Sequence, residues 1–528
     1  MEQIFVYDTT LRDGTQAEGI SFSLADKLRI VEKLDDFGIA YIEGGWPGSN
    51  PKDMAFFKEC KQLKLKHARL AAFGSTARVG GNVSDDFNLK ALLEAETPVV
   101  TIFGKSWALH VEQVLMTTLD NNLKIIEESV RFLKSQGREV VYDAEHFFDG
   151  YLDNPDYAIR ALKAAVHGGA DWIVLCDTNG GMWTSKVSEI VKDVRSKIKA
   201  PLGAHVHNDS GMGVSNSIAA IEQGARQLQG TINGYGERCG NANLITLIPN
   251  LQLKMGYRCI PEENIKRLVD ISRFVDELSN QKGDSRAPYV GKTAFAHKGG
   301  MHVNAVKKVA RSFEHIEPEI VGNHRRILVS ELSGKSNIFL KCIEKGVQLE
   351  ENSSENKLII EQLKQLENEG YEFEAAEASF ILLIQKVRKE HRSFFTLDSY
   401  RMIVEKKHHH NEIVSEAAIK LKVGEKPVHV VAEGDGPVNA LDKALRMALI
   451  QFYPQVKDIS LVDYKVRILD TGDGTAAKVR VLIESRDDQE IWGTVGVSEN
   501  IIEASWEALV DSIDYKLWRD LVRQNKKA

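Results

Sequence analysis

A chain of 528 residues exceeds what one ordinary hydrophobic core accommodates, so two or three domains are expected. With 43% hydrophobic and 27% charged residues it has the composition of a globular protein, and a formal net charge of −7 without any basic stripe excludes nucleic acid as a partner. No run approaches the roughly 18 apolar residues that span a bilayer, and residue 1 leads straight into a strand-like segment, so no membrane association and a cytoplasmic location are expected.

To about residue 255, short apolar runs alternate with helical patterns eight times. The strand-like runs are residues 4–10, 41–45, 68–74, 98–104, 139–147, 172–178, 201–209 and 227–236. In the first helix Ser23 and Asp26 have the spacing of a capping box, and Leu24, Leu28 and Val31 line one face. Eight strand–helix units of this length predict a (β/α)8 TIM barrel, an α/β fold whose strands are buried and whose active site gathers at the C-terminal strand ends.

That rule selects candidate residues. Asp13 follows the first strand, Glu145 ends the fifth, Thr178 the sixth, His205 and His207 the seventh, and Asn241 follows the eighth. Residues two apart on a strand face the same way, so both imidazoles can reach one ion. A His-x-His pair alone also arises by chance on exposed strands; the shared position of Asp13 and Asn241 favours a metal site. The nitrogen and oxygen donors Asp13, His205, His207 and Asn241 suit Mn, Mg, Zn or Co, and Arg12 places a positive group beside them. Metal-assisted chemistry on an oxyanion follows. Phe73 and Phe103, at strand ends, are candidates for a pocket wall, or are simply core.

Beyond the barrel, residues 262–391 read as mainly helical, interrupted by a polar stretch at 350–357. Phe295-Ala296-His297-Lys298-Gly299-Gly300-Met301-His302-Val303-Asn304 reads as a glycine-rich, histidine-bearing loop too elaborate for a spacer. The last 130 or so residues repeat a unit of three strands and a helix: strands at 399–405, 413–423 and 428–433 with a helix at 437–451, then strands at 464–469, 478–484 and 491–497 with a helix at 501–517. This predicts a barrel at residues 1–270, helical linker subdomains at 271–395 and an α+β domain at 396–528. His408, His409 and His410 read as a solvated turn. The loop of Gly434, Asp435, Gly436 and Asn439, with Pro437 at the first helical turn, is either an anion cradle or a plain tight turn. Five cysteines, odd in number and without Cys-x-x-Cys, fit reduced thiols, and Cys239 fills the candidate site loop.

Asp8-Thr9-Thr10-Leu11-Arg12-Asp13-Gly14, His205-Val206-His207-Asn208-Asp209, Gly236-Glu237-Arg238-Cys239-Gly240-Asn241 and Gly434-Asp435-Gly436-Pro437-Val438-Asn439-Ala440 occur in that order. Together they resemble the family of 2-isopropylmalate, homocitrate and citramalate synthases over essentially the whole chain. Gly45-Trp46-Pro47-Gly48-Ser49-Asn50 is similar to its citramalate branch. The resemblance implies a Claisen condensation of acetyl-CoA with a 2-oxo acid, pyruvate in that branch, followed by thioester hydrolysis, in a pathway to isoleucine.

It also implies roles. Arg12 stabilises the forming alkoxide, Thr178 binds the substrate carboxylate, and Glu145 contacts substrate or else holds Arg12 or an imidazole. His302 takes a proton from the acetyl methyl, from its own or a neighbouring subunit, while His297 shapes the loop. The C-terminal domain is implied to be an amino-acid-sensing regulatory domain of a homodimer; the effector is isoleucine, leucine or none, with isoleucine the first to test, and its carboxylate would sit at Gly434–Asn439 if that loop is an anion cradle. Where relatives often carry acidic residues this chain has Thr15 and Asn304, and no tyrosine lies between Phe313 and Asn323, which leaves the acid assisting His302 open. The close alternative is 2-isopropylmalate synthesis from 2-oxoisovalerate; the alternative of another class is a non-catalytic amino-acid sensor.

Overall fold

The computed structural model describes residues 1–329, 341–343, 354–407, 412–469 and 477–527. Eight parallel strands, β1 (Phe5–Asp8), β2 (Tyr41–Gly45), β3 (Arg69–Ser75), β4 (Val99–Lys105), β5 (Glu139–Glu145), β6 (Trp172–Asp177), β7 (Leu202–Val206) and β8 (Gln227–Gly230), close into a barrel in chain order. β8 returns to β1, with Phe5 opposite Gln227 and Asp8 opposite Gly230. The expected barrel is borne out.

Strand alternation sorts the side chains into two sets. One set, including Val6, Ile42, Ala72, Val100, Ile102, Val140, Ile173 and Leu175, belongs to the large core shared with the surrounding helices. The other packs as a separate cluster of Tyr7, Tyr41, Ala71, Val99, Val141, Trp172, Val174 and Cys176. Two residues further along their strands, this inward set turns polar: Glu43, Thr101, Asp143, His205 and Gln229, all buried. Hydrogen bonds between strands that are not neighbours span this layer, Tyr7 Oη with Thr101 Oγ1 at 2.5 Å and Gln229 Nε2 to Asp143 Oδ1 at 3.1 Å. The barrel is therefore apolar at one end and hydrogen-bonding at the end where the site lies.

β7 and β8 stop short of the expected 209 and 236 because the chain beyond them pairs with loop backbone instead. Ala242 N donates to Val206 O at 2.9 Å, and Asn208 N to Gly240 O at 2.8 Å. In the first helix, Leu24–Phe37, Ser23 and Asp26 form the reciprocal capping box. The buried stripe is Lys27, Ile30, Val31, Leu34 and Phe37, while Leu24 and Leu28 are half-buried at its flank. Lys27 can occupy the core side because its Nζ meets Asp53 Oδ1 at 2.6 Å and Gly44 O at 3.0 Å.

The chain divides into two compact units, Met1–Phe295 with Ile316–His324, and Ala296–His315 with Arg325–Ala528. Residues 279–295 are turns, not helix. In the second unit the stretch expected as a loop is a strand followed by a helix: β9 (Ala296–His297) pairs in parallel with β10 (Arg326–Ile327), and Gly299 caps the helix Gly300–Lys308. Helices Ser354–Asn368 and Glu377–Val387 follow, so the polar stretch is helical from Ser354, and its residues 350–353 lie outside the described residues. So do His408, His409 and His410.

The repeat is present as two three-stranded antiparallel sheets, β11 (Thr396–Lys407), β12 (Glu412–Val423) and β13 (Lys426–Gly434), then β14 (Ser460–Ile468), β15 (Val479–Arg486) and β16 (Ile491–Ser498). Each is followed by a helix, Pro437–Leu449 and Ile501–Lys527. Period two meets period 3.6 here: Ala417, Ile419 and Leu421 of β12 share a core with Ala440, Leu441, Ala444, Leu445 and Ala448.

Candidate metal centre

His205 is the penultimate residue of β7, and His207 lies one residue beyond it, held by an isolated bridge to Asn241. Their Nε2 atoms stand 3.3 Å apart. Asp13 closes the triangle, its Oδ2 lying 3.2 Å from His205 Nε2 and 3.8 Å from His207 Nε2. Asn241 Nδ2 donates to Asp13 Oδ2 at 2.8 Å. All four residues are buried. Asp13 is delivered by a tight turn after β1 in which the backbone N–H groups of Arg12, Asp13 and Gly14 all point to Thr9 O.

These residues fit a divalent ion. Donor atoms bound at about 2.1 Å and at near-right or tetrahedral angles sit about 3.0–3.4 Å apart, close to the spacings here. Two imidazole nitrogens facing each other at 3.3 Å need a proton or a cation between them. Asn241 Oδ1 is buried without a partner, facing Gly236, where an added Cβ would lie 1.8 Å away. Exchanging the two amide atoms turns that oxygen toward the cluster, an orientation that a cation beside Asp13 favours.

Electrostatics agrees. Burial pushes the Asp13 carboxyl up, but Arg12 and the two imidazoles outweigh it and hold it well below the usual carboxylate range. Burial and then His205 drive His207 down to about 4, so the ring is neutral at neutral pH. His205 is pushed down by burial and up more strongly by Asp13. Asp143, deeper in the barrel, is raised to about 7 by burial.

Arg12 is fixed on three sides. Its Nε donates to Glu43 Oε1 at 2.6 Å, its Nη1 lies 3.4 Å from Asp13 Oδ1, and its guanidinium carbon sits 3.8 Å over the Phe73 ring. Glu43 is held in turn by Tyr7 Oη at 2.7 Å. Phe73 stacks on Phe103 at 5.5 Å, and Trp46 meets both edge-on, its indole N–H anchored 2.8 Å from Asn88 Oδ1. Phe73 and Phe103 thus form a wall beside Arg12 together with Trp46.

Glu145, at the end of β5, pairs with Lys105; the carboxylate that holds Arg12 is Glu43. Thr178 Oγ1 accepts from His146 N at 2.9 Å, and its carbonyl accepts from Arg238, which also binds Asp209. Arg238 thereby clamps the turns after β6 and β7. In the second unit, His302 lies exposed on the first turn of its helix with its ring stacked on Phe313 at 4.4 Å, whereas His297 Nε2 bonds Glu314 Oε1 at 3.0 Å. Gly434 leaves no room for a side chain, since a Cβ would lie 2.4 Å from Ala440 N, and Asn439 Oδ1 accepts from Asp435 N at 3.2 Å.

Glu43, Asp143 and Gln229 escaped the reading of the sequence, as did the site roles of Tyr7 and of Trp46, the latter read only as part of a motif. For the first three a signal was available: a charged or amide residue inside an otherwise apolar barrel strand, in step with His205 by strand alternation.

A family profile described as HMGL-like matches residues 3–275, one described as Homocitrate synthase post-HMGL domain-like matches 289–371, and one described as LeuA allosteric (dimerisation) domain matches 374–517. The (R)-citramalate synthase of Aquifex aeolicus is 55% identical over 520 residues, covering 98% of both chains. That of Geobacter sulfurreducens is 55% identical over 517 residues, again covering 98% of both. This chain belongs to the (R)-citramalate synthase family. The 2-isopropylmalate synthase of Methanocaldococcus jannaschii stands further off, 30% identical over 97% of this chain and 94% of its own. Among the described residues no helix is long and apolar enough to cross a membrane.

Proposed function

We propose that this chain condenses acetyl-CoA with pyruvate and hydrolyses the thioester to give (R)-citramalate and coenzyme A, on a route to isoleucine. The observation that carries this reading is the Asp13–His205–His207 triangle with the Arg12 guanidinium 3.4 Å from the Asp13 carboxylate. The substrate follows from kinship, since relatives at 45–55% identity over nearly the full chain are citramalate synthases.

A divalent ion, Mn, Mg, Zn or Co, held by Asp13, His205 and His207 with Asn241 as oxygen donor, would supply a Lewis acid for the keto and carboxylate oxygens of the 2-oxo acid. Arg12 stabilises the oxygen that becomes negative as the methyl carbon adds to the keto carbon. Its guanidinium keeps its proton, and Glu43 and Phe73 hold it in place before reaction, so little reorganisation is needed. Thr178 donates a hydrogen bond from its hydroxyl to the substrate carboxylate while its oxygen accepts from His146 N. Phe73 and Phe103 exclude a branched acid, and Glu145, kept in place by Lys105, contacts substrate.

His302 removes the proton from the acetyl methyl. The barrel at 1–270 is catalytic, residues 271–395 link, and residues 396–528 regulate, with isoleucine at the Gly434–Asn439 loop, in a cytoplasmic homodimer. The LeuA allosteric (dimerisation) match at 374–517 supports this division of labour.

The test is release of free coenzyme A thiol from acetyl-CoA by the metal-supplied full chain, with pyruvate, 2-oxoisovalerate and 2-oxoglutarate compared side by side. Pyruvate is expected to be preferred, and chelation to abolish release. Preference for 2-oxoisovalerate would move the chain to 2-isopropylmalate synthesis; release with none of them would favour an amino-acid sensor.

A further inference from the structure

We infer that Gln229 is a positioning residue that fixes the proton of His205 on Nδ1 and so aims the Nε2 lone pair into the Asp13–His205–His207 triangle. The inference rests on the metal reading above.

Gln229 is fully buried on β8, inside the barrel. Its nitrogen lies 3.1 Å from Asp143 Oδ1 and 3.3 Å from Gln227 Oε1; its oxygen lies 2.9 Å from His205 Nδ1. Ionised, as at the pH 8 of the test below, the Asp143 carboxylate accepts and does not donate, so the amide NH2 end faces it. The carbonyl end is then the one left for His205. A carbonyl can only accept, so Nδ1 must carry the hydrogen, and a neutral imidazole carries one. Nε2 is left bare, 3.2 Å from Asp13 Oδ2 and 3.3 Å from His207 Nε2.

The opposite tautomer would point an N–H at the ion and leave two lone pairs facing each other at Gln229. His207 has no such device, because its Nδ1 is buried without a partner. One imidazole of the pair is thus preset through Asp143, Gln229 and β8, and the other adjusts to the ion. Outer hydrogen-bond partners of this kind are worth roughly 10–100-fold in metal affinity.

The test is competitive titration of the metal-stripped full chain with Mn(II) and Co(II) at pH 8, with the Co(II) absorption spectrum as second readout. Gln229→Leu, of similar volume but without an acceptor, is expected to bind 10–100-fold more weakly and to shift the Co(II) bands. Gln229→Glu keeps an oxygen opposite Nδ1 and, sharing one proton with Asp143 in place of the amide N–H, is expected to recover most of the affinity and the wild-type bands. If Gln229→Leu does not fold, Gln229→Met takes its place, keeping the length and lacking the carbonyl.

Wild-type affinity in the Leu or Met variant overturns the inference while leaving the metal site standing. Equal weakening in the Glu and Leu variants also overturns it, since that would mark a packing role. Failure of the wild-type chain to bind either ion would instead overturn the metal reading itself.

Discussion

Replacing Gly236 with alanine tests how closely the loop after β8 is moulded to Asn241. The added Cβ would lie 1.8 Å from Asn241 Oδ1, so the amide must retreat by roughly 1.5 Å to reach van der Waals separation. The backbone offers no resistance of its own, because Gly236 is not among the positive-φ residues. Asn241 is 2% exposed, and retreat breaks its 2.8 Å bond to Asp13 Oδ2 and its 3.4 Å approach to His205 Nε2. With the amide turned so that its oxygen faces the cluster, the same retreat takes that oxygen off the ion; a contact of hydrogen-bond strength to a charge is worth about 1.5–3 kcal/mol, or roughly 10–150-fold in affinity for a divalent ion. Competitive titration of the full chain against a chromophoric chelator measures it. Because both changes act on one side chain, Gly236→Ala and Asn241→Ala are expected to weaken binding equally, and the double variant no further. Wild-type affinity in Gly236→Ala, or additive losses in the double variant, would refute the reasoning.

Arg12→Lys removes the fork that joins Glu43 to Asp13 and the stack on Phe73; kcat is expected to fall about 100–1,000-fold with ion affinity unchanged, measured by thiol release and metal titration on the same sample. Phe103→Ala opens the aromatic wall, and the ratio of kcat/KM for 2-oxoisovalerate to that for pyruvate is expected to rise roughly 10–150-fold; an unchanged ratio would place Phe103 in the core alone. In the second unit Asp487, its side chain 2% exposed, meets Lys516 Nζ at 2.8 Å and also Arg519. Burial pushes its carboxyl up, but Lys516, the backbone N–H groups of Gln489 and Glu490, and Arg519 pull it below the ordinary value. With a depressed folded-state value its stabilisation is complete above the unfolded value of about 3.9 and is lost as pH falls through the folded one. Asp487→Asn is therefore expected to cost about 3 kcal/mol in urea unfolding at pH 7, a difference that shrinks below about pH 4.

Much of the fold was legible because each barrel unit carries its own punctuation. Ser23 and Asp26 marked a helix start by hydrogen bonds that reach three residues and are present as read. The face of that helix was misread, because Lys27 counts as solvent-facing until Asp53, 26 residues away, is known to meet it. The stretch around His302 was taken for a loop because its glycines outweighed the one helical turn's worth of pattern after them; pairing of β9 with β10 across some 30 residues gives it its order.

The sequence by itself determined the strand–helix period, the repeat in the last third, and the presence of Arg12, Asp13, His205, His207 and Asn241 at strand ends. These depend on alternation and capping, which act over a few residues. Only the tertiary structure decided which carboxylate holds Arg12, that Trp46 joins Phe73 and Phe103, and that Gln229 links His205 to Asp143. Those pairings join residues 24 to 86 apart in the chain, and closure of a sheet sets such partners by register and tilt, which no local pattern encodes.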